Sequence, residues 1–247
     1  IQFPQHGLSR SAILAQMDAA RAHDVHWRQG QVFSLVFDAG DEVNELAKTA
    51  YTTFFSENGL NPTAFPSLRR FETEVIAMVG SLLGGDGHTA GNMTTGGTES
   101  ILMAVLAARE WGRVHKPKVR QPEMVLPSSA HPAFDKAAHY FGVKAVRVPV
   151  DSNFRADVAA MRAAINLDTV LVVGSAPSYP QGAVDPIPEL AGLAQQRGIL
   201  CHVDACVGGM MLPFVRRLGA PVTPFDFGVS GVTSISVDLH KYGYAAK

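Results

Sequence analysis

The chain has 247 residues, 47% of them hydrophobic, and its 21 Lys+Arg against 22 Asp+Glu leave a net charge of -1. The two signs are interspersed, so no electrostatic case exists for nucleic acid or an anionic membrane surface as a partner. No apolar run is long enough to span a bilayer, and no signal-peptide pattern opens the sequence. Its two cysteines, Cys201 and Cys206, flank "HVDA", read as reduced thiols rather than a disulfide, and point to a cytoplasmic setting.

In chain order, residues 1–80 read as a helical segment. "SRSAILAQMDAARAHD" puts Ile13, Leu14, Met17 and Ala20 on one helix face, and "DEVNELAKTAYTTFF" does the same with Val43, Leu46, Ala50, Tyr51 and Phe54. Pro66 opens a third helix, in which Leu68, Phe71, Val75, Met78, Val79 and Leu82 recur at three or four residues before "GGDG" ends it. All three are expected to pack as core helices. From Gly91 helices and strands alternate: helix "ESILMAVLAAREWGRV", strand "EMVLP", helix "PAFDKAAHYFG", strand "KAVRVPV", helix "RADVAAMRAAI", strand "TVLVVGSAP", helix "IPELAGLAQQRG", and strands "ILCHVDA" and "TSISVD". Continuous aliphatic strands belong to a mostly parallel sheet covered on both faces, so the expected fold is α/β, a three-layer sandwich.

Three short motifs carry chemistry. In "TTGGTES", Gly96 and Gly97 permit close backbone approach and Thr98 starts a helix, a combination suited to a phosphate; taken alone, an N-cap after a flexible turn is the plainer reading. Asp204 ends the strand "ILCHVD", where α/β proteins place ligands and where a carboxylate could hold a cationic ring nitrogen; alone, it is a loop cap. "SISVDLHKYGY" ends its strand in Asp238, His240 and Lys241, and a lysine whose amine is partly deprotonated captures carbonyl compounds, whereas a solvated lysine is the plainer reading. His131, at a helix start, offers an imidazole face for stacking or simply a polar cap. Together, in this order on one α/β scaffold, a phosphate site, a carboxylate and a lysine match what pyridoxal 5'-phosphate requires.

With "FPSLRRFETEV", "TTGGTESILMA", "AHPAFDKAAHYFGVKAVRVPV", "HVDACVGG", "PFDFGVSGVTSIS" and "DLHKYGYAAK", the chain resembles the fold-type I pyridoxal-phosphate enzymes of the group II decarboxylase family, and within them the sphingosine-1-phosphate lyases. The resemblance implies a seven-stranded sheet and a C-terminal small domain not contained in this sequence, with 81–247 as the cofactor-binding large domain. It makes Lys241 the lysine that carries the cofactor, His240 its neighbour near the phosphate, Asp204 the partner of the ring nitrogen and Gly96, Gly97 and Thr98 the phosphate donors. His131 becomes the ring-stacking residue, Lys247 a second active-site lysine meeting substrate phosphate or assisting proton transfer, and Asn58 and Asn61 substrate-side residues; no metal is implied.

The activity implied is retro-aldol cleavage of a phosphorylated sphingoid base to a long-chain aldehyde and phosphoethanolamine, by a homodimer with shared active sites. An α-decarboxylase of L-amino acids such as glutamate or tyrosine would share the same cofactor contacts, and a catalytically incomplete binding or dimerisation fragment is a third reading. Two positions depart from the pattern: Asn61 stands where a histidine is expected, and Phe37 where a tyrosine is expected.

Overall fold

The computed structural model describes residues 1–246, which divide into two compact units, residues 1–38 and the chain from Ala39 onward. The first unit carries α1 (Arg10–Ala20), capped by Ser9, whose hydroxyl accepts the Ala12 N–H. The second begins with α2 (Asp41–Thr53) and α3 (Pro66–Leu82). It continues with α4 (Gly97–His115), β1 (Glu123–Pro127), α5 (Ala133–Phe141), β2 (Lys144–Val148) and α6 (Val158–Ala164). Then come β3 (Thr169–Ser175), α7 (Ile187–Arg197), β4 (Leu200–Asp204), α8 (Leu212–Arg217) and β5 (Ser234–Ser236).

Every strand pair is parallel, in the order β2-β1-β3-β4-β5. The sheet therefore has five strands among the described residues, the five aliphatic runs read from the sequence; the two further strands rested on the resemblance alone. Alternation along each strand sends side chains into two separate cores. Met124, Leu126, Leu171 and Val173 pack with Ile101, Val105 and Phe134 of α4 and α5, while Val125, Val172 and Val203 pack with Met161, Ile187 and Leu190 of α6 and α7. Each such fully buried aliphatic side chain contributes about 1.5–3 kcal/mol. Helices thus cover both sheet faces, giving the expected three layers.

The three N-terminal helices differ from expectation. None of them buries a residue completely: Met17 of α1, Leu46 of α2 (70% exposed) and Met78 of α3 (62% exposed) remain open. Periodicity establishes that a helix has an apolar face but not what covers it. Within the second unit only part of the stripe is satisfied, through Val79 against the sheet core and an edge-on contact of Phe54 with Phe71 at 5.3 Å. The short α8 was not anticipated, its six residues giving too little periodicity to read.

Candidate cofactor site

The parallel order reverses direction between β1 and β3, and in open α/β sheets such a switch point opens a crevice at the carboxyl ends of the strands. A cavity of ≈ 350 Å³ lies there. His131 enters it after β1, Ser175 and Pro177 at the end of β3, Asp204 and Cys206 at the end of β4, and Asp238, His240 and Lys241 after β5, facing Gly96, Gly97 and Thr98 at the start of α4. The three motifs separated in sequence by up to 145 positions (241 minus 96) thus share one wall-to-wall space. A second cavity, ≈ 320 Å³ between α3, α4 and β5, holds one ionisable side chain, His202, and is otherwise lined mainly by apolar groups.

At the start of α4 the backbone is shaped for close approach. Gly96 has φ of 146° and ψ of 178°, a conformation essentially restricted to glycine. A Cβ on Gly97 would lie 2.6 Å from Asp238 Oδ2 and 2.9 Å from Cys206 Sγ, so a side chain there would collide with the cavity floor. Glu99 folds back to accept the Thr95 N–H at 2.6 Å and the Thr95 hydroxyl at 2.7 Å, which holds its carboxyl below the usual range and ties the loop to the first helical turn. The first-turn N–H groups have no partner within the helix, and with the helix dipole they suit an anion.

Lys241 Nζ lies 2.9 Å from Asp238 Oδ2, and His240 Nε2 is 3.9 Å from the same oxygen. Asp238 Oδ1 is buried without a hydrogen-bond partner among the described residues. Asp204 accepts both of its side-chain hydrogen bonds on Oδ1, from the Cys206 N–H at 3.1 Å and the Ser236 hydroxyl at 3.3 Å, which leaves Oδ2 as the atom able to meet a cation in the cavity. His131 Nδ1 accepts the Ala133 N–H at 3.1 Å, an arrangement that fixes the ring and places its proton on Nε2. Both cysteines are free and buried, and burial pushes the Cys201 thiol up to about 12 and the Cys206 thiol well above its ordinary value.

Of the residues expected at the site, Gly96, Gly97, Thr98, His131, Asp204, His240 and Lys241 line this cavity. Asn58 and Asn61 do not: each is exposed and caps its own turn, Asn58 Oδ1 accepting the Leu60 N–H and Asn61 Oδ1 the Thr63 N–H and hydroxyl. Lys247 lies outside the described residues. Sequence reasoning passed over Ser175, and it noted Asp238 only as a polar neighbour, although its position three residues before Lys241 was a signal for the ion pair.

The pattern of the pyridoxal-dependent decarboxylase conserved domain matches residues 1–247. The chain belongs to the pyridoxal-dependent decarboxylase family. Among its relatives in that family, it is 46% identical over 246 residues to a sphingosine-1-phosphate lyase of Dictyostelium discoideum, covering 99% of this chain and 46% of that protein. It is 40% identical over 200 residues to a probable L-tyrosine/L-aspartate decarboxylase of Methanothermobacter thermautotrophicus, covering 81% of this chain and 53% of that protein. The solved structure of the Burkholderia pseudomallei K96243 sphingosine-1-phosphate lyase matches with a TM-score of 0.92 and 40% identity, over 99% of this chain and 58% of that one. The chain spans about half the length of the curated relatives it matches.

The cofactor of this decarboxylase family is pyridoxal phosphate, and the residues present fit it. The unpartnered Asp238 Oδ1, the space that a Cβ on Gly97 would fill, and a donor set of amine, carboxylate and helix start at three sides of one cavity supply what an aldehyde, a ring nitrogen and a phosphate each need.

Proposed function

We propose that this chain forms the cofactor-binding part of a pyridoxal-phosphate-dependent carbon–carbon lyase that cleaves phosphorylated sphingoid bases to a long-chain aldehyde and phosphoethanolamine. The observation that carries the reading is the convergence of Lys241, Asp204 and the start of α4 on one cavity, in a chain 46% identical over nearly its whole length to a sphingosine-1-phosphate lyase. Residues 81–247 serve as the cofactor-binding domain.

Lys241 offers its amine to the cofactor aldehyde, with Asp238 keeping that amine in the cavity through their 2.9 Å contact. Gly96, Gly97 and Thr98 bind the phosphate through backbone N–H groups and the Thr98 hydroxyl, with His240 beside it. Asp204 holds a proton on the ring nitrogen through its carboxylate. His131, its orientation set by the Ala133 N–H, would stack on the ring. Held by these residues, pyridoxal phosphate would supply an electron sink for cleavage of the bond between the amine-bearing and hydroxyl-bearing carbons. Lys247 meets the substrate phosphate, and Asn58 and Asn61, which do not line the cavity of their own chain, act on the substrate side of the neighbouring subunit's site.

The protein is a homodimer with shared active sites in this reading. The uncovered apolar faces of α2 and α3, which include Leu46, Tyr51 and Met78, support it, since a second copy would remove them from water.

The relation to the archaeal decarboxylase favours a second reading, α-decarboxylation of an L-amino acid. The test is to incubate full-length protein with a phosphorylated sphingoid base and, separately, with L-glutamate, L-tyrosine and L-aspartate, and to identify products by mass. Aldehyde and phosphoethanolamine are expected; amines formed by loss of carbon dioxide, with the sphingoid base untouched, would replace the lyase reading with the decarboxylase one.

A further inference from the structure

Behind Asp204 lies a file of polar groups, buried except for the half-buried Ser234, that the proposed chemistry leaves unused. His202, two residues before Asp204 on β4, is 1% exposed and sits between two serines of β5: Nδ1 is 2.8 Å from Ser234 Oγ, and Nε2 is 3.2 Å from Ser236 Oγ. Ser236, itself buried, donates to Asp204 Oδ1 at 3.3 Å. The parallel register that pairs His202 with Ser234 and Asp204 with Ser236 brings these four side chains into one row.

Hydrogen-bond accounting fixes the direction of the row. An ionised Asp204 only accepts, so Ser236 spends its one proton on it; the Ser236 oxygen must then accept from His202 Nε2–H, which leaves Nδ1 to accept from the Ser234 hydroxyl. A ring protonated on both nitrogens would break that order, and burial, opposed in part by Asp204, lowers the His202 pKa to about 4, keeping it neutral. Cys206, its thiol held protonated by burial, adds an S–H donor to Ser236 Oγ at 3.4 Å. The ring is further fixed by an edge-on contact with Phe134, centroids 6.0 Å apart. Each group has one orientation that satisfies its neighbours, and the sum of those orientations is a proton pointed at Asp204 Oδ1.

We propose that Ser234, His202 and Ser236 form a positioning relay that fixes the Asp204 carboxylate, occupying Oδ1 so that Oδ2 is held toward the ring nitrogen of the cofactor. The proposal rests on the assignment of Asp204 to that nitrogen. None of the three relay residues touches the cofactor; they act through Asp204, much as outer-shell partners orient metal ligands.

The test uses full-length protein loaded with pyridoxal phosphate labelled with ¹⁵N at the ring. Its nitrogen chemical shift reports protonation, and the cofactor Kd is measured by fluorescence titration of the apoprotein. Ser236→Ala removes a single oxygen and is expected to move the ¹⁵N signal toward that of the unprotonated ring and to raise the Kd about five-fold, the value of one hydrogen bond. His202→Phe is expected to do the same to a smaller extent, because Ser236 keeps its hydroxyl but loses its orientation; should that variant fail to fold, Ser236→Ala decides alone. Asp204→Asn separates the two assignments. If it shifts the ¹⁵N signal while Ser236→Ala leaves both signal and Kd at wild-type values, the relay is overturned and Asp204 stands; if Asp204→Asn itself leaves the signal unmoved, the ring-nitrogen assignment falls and the relay with it.

Discussion

Asp238 Oδ2 lies 2.9 Å from Lys241 Nζ in a pocket where the aspartate side chain is only 4% exposed and the lysine 21%. Removing one partner of such a pair leaves a buried charge uncompensated, which costs about 3–5 kcal/mol, whereas removing both is far milder. Lys241→Ala is therefore expected to destabilise the full-length apoprotein by roughly 3 kcal/mol as well as to abolish covalent attachment of the cofactor, and Asp238→Asn added to it should recover much of that loss. Chemical unfolding of the two single variants and the double variant measures the coupling; additive losses would mean the pair does not hold together. Borohydride reduction of the wild-type holoprotein should fix the cofactor to the peptide containing Lys241, and label on any other lysine would displace that residue from its role.

Gly97 bears on the same carboxylate from above. With a Cβ placed 2.6 Å from Asp238 Oδ2, Gly97→Ala must push α4 away from the aspartate or the aspartate away from Lys241. Overpacking of this kind costs about 1–3 kcal/mol, and the cofactor Kd should rise at least about ten-fold, since the displaced groups are those facing the cavity. Isothermal titration of apoprotein with pyridoxal phosphate checks this; wild-type affinity would show that the space above Asp238 is not used.

How much of this was legible beforehand follows from the range of each interaction. Asp204 and Lys241 could be read because each follows an aliphatic run, and in a parallel sheet the carboxyl ends of such runs converge. The relay from His202 to Ser236 could not, because it joins residues 34 positions apart and exists only through the register of β4 on β5. Asn58 and Asn61 suggested substrate contacts by resemblance, yet locally each does what Asn does in loops and accepts a backbone N–H two residues ahead. The stripes on α2 and α3 were legible as apolar faces, while their exposure depends on surfaces that sequence periodicity does not encode.

Arg147 of β2 holds the loop that delivers His131. Its guanidinium makes a fork with Asp135 of α5, Nε to Oδ1 at 3.1 Å and Nη2 to Oδ2 at 2.9 Å, while Nη1 donates to the carbonyls of Pro127, Ser128 and Ala130. Lysine has one point charge and cannot serve both sides. Arg147→Lys is expected to loosen residues 128–131, lowering cofactor affinity several-fold, with stability reduced by about 1 kcal/mol given the partial exposure of the pair. Amide exchange of that loop, measured on wild type and variant, should rise selectively; unchanged protection would remove Arg147 from the positioning of His131.

The open apolar faces of α2 and α3 predict their own experiment. Leu46→Glu and Met78→Glu place a charge on surfaces that are exposed in the single chain, so neither should disturb folding of the monomer by more than about 0.5 kcal/mol. If a second copy covers those faces, each charge would be buried unpaired and should shift full-length protein from dimer to monomer in sedimentation velocity. Dimers of wild-type strength in both variants would place the interface elsewhere.

Asp185 and His202 pull the pH dependence of stability in opposite directions. Asp185 is fully buried, its oxygens accepting the Ala156 and Ser175 N–H groups at 2.7 Å each, and burial raises it from an ordinary 3.8 to about 6. Between those values the folded protein keeps a proton that the unfolded chain has released, so this group makes stability fall as pH rises through them. His202 is lowered by burial from 6.5 to about 4; there the unfolded chain takes up a proton that the fold refuses, so stability falls as pH drops from 6.5 toward 4. Either effect amounts to roughly 3 kcal/mol over its full range, and in the wild type the two largely offset each other. Single variants should separate them: in Asp185→Asn, going from about pH 7 to about pH 5 should cost roughly 1–2 kcal/mol more than in wild type, and in His202→Gln the same step should cost less than in wild type or become a gain. Urea unfolding of full-length protein at the two pH values tests both. Parallel profiles for wild type and both variants would mean that neither group titrates differently on folding.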